Sequence, residues 1–205
     1  MLTTYTFFIT SLIIILLPGT GVIYTISVGI LNGKKASVLA AFSCTLGILP
    51  HLCTSIALST LLLQMNPKVF TIIKLTGALY LLYLGCKIMF SKENLEFQPA
   101  KKDTAPLTIL QRGILINLLN PKLTLFFFSF LPQYIRGNKD NFAFQSFLLG
   151  VAFMLLTLII FIGYGILAGT AKKFIISSPK HMEMLQKCFA IVFVLFAVKL
   201  VLTQF

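Results

Sequence analysis

The chain has 205 residues, 58% of them hydrophobic and 11% charged, with no Trp and a net charge of +12. A soluble domain of this size needs more charge to cover its core, so composition excludes one and leaves an integral membrane domain. Nucleic acid is excluded as the partner of that charge, because most of the 17 Lys and Arg sit in short loops between apolar runs, where basic residues set orientation in a bilayer.

A bilayer crossing takes ~20 apolar residues, so the length allows about six helices and little else. The fold class expected is therefore an all-α integral membrane protein, one transmembrane domain over residues 1–205. Met1 to Thr6 carries no basic residue, and no small-residue cleavage site follows, so this stretch reads as a retained first helix rather than a signal peptide.

Helix 1 is expected from about Tyr5 to Ile30, interrupted at Pro18-Gly19-Thr20-Gly21. A basic turn, Asn32-Gly33-Lys34-Lys35, follows; its glycines and lysine miss the spacing of a phosphate loop by one residue, so no ATP site is encoded. Helix 2 spans about Ser37 to Leu63 and contains Gly47, Pro50 and His51. Helix 3 runs from about Val69 to Phe90, and residues 91–106 form the one extended polar loop. Helix 4 begins near Leu107, ends at Leu131-Pro132-Gln133 and is broken at its centre by Asn120-Pro121-Lys122. Helix 5 covers about Phe142 to Gly169, and helix 6 about Met184 to Thr203. Eleven basic residues lie near the loops after helices 1, 3 and 5, against four on the other side, which places those loops in the cytoplasm and both termini outside.

The two interruptions recur at matching places. Pro18 to Gly47 is 29 residues, and so is Pro121 to Gly150. Repeat 1 then covers about residues 1–90 and repeat 2 about 107–205, each of three helices. Three is odd, so the halves are inverted, with broken helices 1 and 4 meeting near the midplane. That plan belongs to secondary transporters and marks the breaks as the binding site.

The candidate substrate-binding residues are accordingly Pro18, Gly19, Thr20, Gly21, Asn117, Asn120, Pro121 and Lys122. Lys122 lies ten residues past Arg112, ~15 Å along a helix and too deep to reach either surface easily. A buried ammonium there suits a substrate carboxylate, helped by free amides where the helix restarts. It equally suits a pin on carbonyls that Pro121 leaves unpaired. Histidine is the side-chain type that takes up and releases protons near physiological pH, so His51, with Lys122, is a candidate for proton coupling. The five acids (Glu93, Glu96, Asp103, Asp140, Glu183) all lie outside the helix cores, so no metal site is expected, and no cofactor. Gly29/Gly33 and Gly165/Gly169 have the spacing for close helix packing and leave room for a homodimer. The four cysteines, Cys44, Cys53, Cys86 and Cys188, read as reduced packing residues.

Arg112-Gly113 through Asn117-Leu118-Leu119-Asn120-Pro121-Lys122 to Phe130-Leu131-Pro132-Gln133 resembles the LysE/RhtB amino-acid exporters. Leu17-Pro18-Gly19, Gly47 with His51, and Lys74 to Leu81 agree as well. The resemblance implies a multi-pass protein of the bacterial cell (inner) membrane that exports amino acids or their derivatives, its partners being the lipid bilayer, the amino-acid substrate and protons taken by antiport. The chain departs from the family pattern in Thr20-Gly21 after the first Pro-Gly, in Ile48 where relatives carry an acid, and in helix 6. The missing acids put the usual contact to the substrate amine in doubt. Two rival readings share a related six-helix plan. A thiol electron conduit would need a cysteine in each broken helix, and helices 1 and 4 have none. A metal-cation exporter would need carboxylates inside the membrane.

Overall fold

The structure, a computed structural model, describes residues 2–16, 19–57, 105–135 and 141–170. Ile72, Leu75, Thr76, Ala78, Leu79, Leu82, Tyr83, Cys86, Ile191, Val194, Leu195 and Val198 are described as well. The chain divides into two compact units, Met1–Ala57 with Phe97–Ile175 and Leu58–Glu96 with Ile176–Phe205. In the second unit the described residues are helical, and Thr76 Oγ1 donates to the Ile72 carbonyl one turn back at 2.9 Å. The remainder of expected helices 3 and 6 lies outside the described residues.

In the first unit, α1 (Leu2–Leu16) and α2 (Thr20–Asn32) form a broken span whose two axes meet at 54°. One residue, Gly33, joins α2 to α3 (Lys34–Leu46), with φ 86° and ψ 178°. Only glycine adopts that backbone readily, so the hairpin between the first two spans depends on it. The second span, expected as one helix, runs as one apolar span from Lys34 to Ala57, with a short turn at Gly47 and Ile48 before α4 (Leu49–Ala57). The reason is Pro50, whose missing N–H ends the ladder at Leu46. Ile48 bonds Thr45 at 3.0 Å in its place.

α5 (Pro106–Leu118) starts with Pro at its first turn, where the absent donor costs nothing. It stops at Leu119, and α6 (Pro121–Leu125) restarts at a bend of 47°. A π-helical turn (Phe126–Phe130) and a 3-10 turn (Leu131–Tyr134) complete the span. The last element of the unit, α7 (Phe142–Thr170), is continuous. Among the described residues there is no strand. Lys34–Ala57 and Phe142–Ala168 are each long and apolar enough to cross a bilayer, as are the two bent pairs.

Close packing rests on small residues. A side chain on Gly29 would stand 2.5 Å from the Gly165 carbonyl oxygen, so α2 and α7 meet backbone to backbone. A side chain on Gly113 would collide with Ser43, which sets α5 against α3. Between these contacts sits an aromatic core. Phe126 stacks on Phe153 with ring centres 4.1 Å apart, and Phe127 meets Phe153 edge-on at 5.7 Å. Phe144, Leu155, Ile159 and Leu167 on α7 are each more than half exposed, an apolar surface suited to lipid rather than water.

Candidate functional site

A proline strips the donor from the carbonyl four residues before it. Pro121 therefore orphans the carbonyl of Asn117, and Pro18, itself outside the described residues, orphans that of Ile14. Buried carbonyls of this kind must find other donors. The two are answered crosswise. Lys122 Nζ, from the second broken span, donates to the Ile14 carbonyl of the first at 3.0 Å. His51 Nε2, from α4, donates to the Asn117 carbonyl at 3.1 Å, and the Asn120 amide shares that acceptor at 3.1 Å. A carbonyl only accepts, so the ring proton of His51 sits on Nε2. The π turn repeats the pattern: its ladder runs five residues, and the fifth after Phe127 is Pro132. Ser55 Oγ, one turn beyond His51 on α4, donates to the Phe127 carbonyl at 3.0 Å. The C-terminal end of α1 gains one further donor, Tyr164 of α7, which bonds the Leu16 carbonyl at 3.1 Å.

Asn117 is the hub. Its Nδ2 donates to the Cys44 carbonyl at 2.8 Å, and its Oδ1 receives Asn120 Nδ2 at 3.4 Å. The same Oδ1 lies where a side chain on Gly21 would be, so Gly21 brings α2 directly onto it. Gly19 does likewise for Lys122: a Cβ there would sit 3.0 Å from Nζ and 3.7 Å from Asn120 Nδ2. The expected residues Gly19, Gly21, Asn117, Asn120 and Lys122 are thus brought together. Thr20 is exposed, and Pro121 acts through the carbonyl it frees.

One expectation needs correcting. The amides at the restart of the second broken span are not available to a ligand. Lys122 N–H bonds Asn120 Oδ1 at 3.1 Å, while the amides of Leu123 and Thr124 bond the Asn120 carbonyl. Asn before Pro is a helix cap, and the cap consumes those donors. The first span restarts differently, since Gly19 supplies no side-chain cap to α2.

A cavity lies between the breaks. Asn117, Asn120 and Lys122 supply its polar wall, with Thr157. Ile14, Ile15, Val22, Leu123, Phe153 and Phe161 form an apolar wall, and Gly21 completes the lining. The space open to the centre of a water molecule is about 10 Å³, room for one water and no amino acid. The breaks are therefore closed on each other in this conformation. Lys122 is 8% exposed and is the one ionisable residue among the described residues of the lining.

The model of the LysE type translocator family matches residues 12–204. The chain belongs to that family. The translocator is 30% identical over 171 residues to a leucine efflux protein of Enterobacter sp., covering 80% of each chain. It is 28% identical over 192 residues to a homoserine/homoserine lactone efflux protein of Salmonella typhimurium, covering 93% of this chain and 92% of that one. An uncharacterized membrane protein of Vibrio cholerae is 29% identical over 188 residues, 91% and 90% of the two chains. No solved structure matches significantly. The family makes the chain a membrane transporter and not an enzyme.

Residues that sequence reasoning passed over include Ile14, Cys44 and Ser55, each through a backbone or hydroxyl oxygen. Counting four back from each proline would have found the first. His51 is 7% exposed and lies nearly parallel to Phe127, ring centres 6.3 Å apart. His51→Leu removes one of the two donors to the Asn117 carbonyl, and a loss of about 0.5–1.5 kcal/mol in stability is expected, because the Asn120 N–H remains. His51→Gln, which keeps a donor, should lose less. Thermal unfolding of the detergent-solubilised translocator checks both.

Proposed function

We propose that this translocator exports amino acids or their derivatives from the cytoplasm of a bacterial cell across the inner membrane, by exchange with protons. The observation that carries the reading is the ammonium of Lys122, buried between two broken spans at the wall of a closed cavity. Such a group near the middle of a bilayer is costly unless it meets an anion or a polar cluster. A substrate carboxylate is the anion that fits, held by Lys122 Nζ and Asn120 Nδ2, with the uncapped start of α2 lending its positive end. Entry of the substrate requires the Lys122–Ile14 bond to be exchanged for the carboxylate, and that exchange parts the two breaks. The efflux names of the relatives support the direction.

His51 is the coupling candidate beside Lys122. Its Nε2 donates to the Asn117 carbonyl, which places it beside the second break. The two breaks, 103 residues apart at Pro18 and Pro121, also support six helices arranged as two inverted halves. The test is efflux from loaded proteoliposomes over the twenty amino acids, with and without a proton gradient. Gradient-dependent loss of one or a few is expected. Gradient-independent flux would remove the antiport, and no flux of any amino acid or derivative would remove the export reading.

A further inference from the structure

Resting on the export reading, we infer that the cavity is built for a ligand of one net negative charge: an apolar monocarboxylate whose amine is masked, the N-acyl amino acid class, ahead of the free zwitterion. Three observations carry this. The lining holds the ammonium of Lys122, and no acid occurs among the described residues. Nor does the sequence place one in an apolar stretch, since the five acids stand at positions 93, 96, 103, 140 and 183.

The side-chain groups that converge on Gly19 are donors, Lys122 Nζ and Asn120 Nδ2. Four oxygen acceptors nearby already receive donors of the protein. Ile14 O receives Lys122, Asn117 O receives His51, Asn117 Oδ1 receives Asn120, and Gly21 O receives Thr25 Oγ1 at 2.9 Å. A carboxylate that takes Lys122 Nζ and Asn120 Nδ2 from these acceptors gains a charge partner, whereas an ammonium entering here meets a like charge at Lys122 and no anion among the described residues of the lining. The remaining wall, with Val22, Leu123, Phe153 and Phe161, suits an apolar body.

Charge then ranks the ligands. At neutral pH an N-acyl amino acid is a monoanion, because its carboxyl titrates far lower and its amide does not titrate. Bound at Lys122 it makes a neutral complex. A zwitterion leaves one net positive charge in the membrane interior and a basic amino acid leaves two, each step more costly in a medium of low polarity.

The experiment uses the purified full chain in proteoliposomes, with labelled N-acetyl-leucine, leucine and lysine offered at equal concentration. Efflux of N-acetyl-leucine should exceed that of leucine by about tenfold or more, with none for lysine. In detergent, N-acetyl-leucine should raise the melting temperature most, and Lys122→Met should abolish that rise. Leucine or lysine moving as fast as N-acetyl-leucine would overturn the inference and leave the exporter standing. Flux and stabilisation by none of the three would also overturn it, and the twenty-amino-acid screen then decides the export reading separately. A rise that survives Lys122→Met would equally overturn it, by showing that the anion binds elsewhere.

Discussion

Lys122→Met should reduce export about 10- to 100-fold, the range for loss of a hydrogen bond to a charged group. The side chain keeps its length, so the gap beside Gly19 stays filled, and the variant inserts more easily because no charge enters the membrane. What disappears is the donor to the Ile14 carbonyl and, in transport, the partner of the substrate carboxylate. Membrane fractionation separates this from failure to insert and should stay near the unaltered protein, while the melting temperature should fall modestly, because the Ile14 carbonyl loses the Lys122 donor. Full export by the methionine variant would show that Lys122 only pins the break.

Gly29→Leu is expected to damage the fold rather than the site. Its Cβ alone would lie 2.5 Å from the Gly165 carbonyl oxygen and 3.3 Å from its carbon, backbone atoms that cannot rotate away. Overpacking of this kind costs about 1–3 kcal/mol or more. A fall in melting temperature of roughly 5–10 °C should follow. Gly163→Leu is the control on the same helix as Gly165, because nothing lies within 4 Å of its Cβ position. It should melt near the unaltered protein. Equal damage from both changes would mean that the α2–α7 contact does not set the effect.

The prolines made the breaks legible. A helix cannot continue its ladder through Pro18 or Pro121, whatever surrounds them. Lys122 was legible through depth, since distance along a helix converts directly to distance across a bilayer. Its partner was not. Sequence suggested carbonyls loosened by Pro121, whereas the structure pairs Lys122 with Ile14, loosened by Pro18. A proline names the carbonyl it orphans, but the donor comes from tertiary packing that no local spacing encodes. The same limit hid Ser55 and the contact of Asn117 with Cys44. The turn within α3–α4 was marked by Pro50 but was read through, because a proline inside a long apolar run can be tolerated within one membrane span. The π turn over Phe126–Phe130 left no mark at all, since five apolar residues read equally well as an α-helix.

Three prolines and three answering donors bear on how such sequences drift. Restoring an N–H at position 121 would supply the Asn117 carbonyl from its own helix and leave His51 with a surplus donor. Removing His51 first would leave the carbonyl with the Asn120 N–H alone. Changing Pro121 and His51 together should therefore cost less stability than changing His51 alone. The same holds for Pro18 with Lys122 and for Pro132 with Ser55. The donors on α4 and α6 thus stand or fall in value with the prolines they answer.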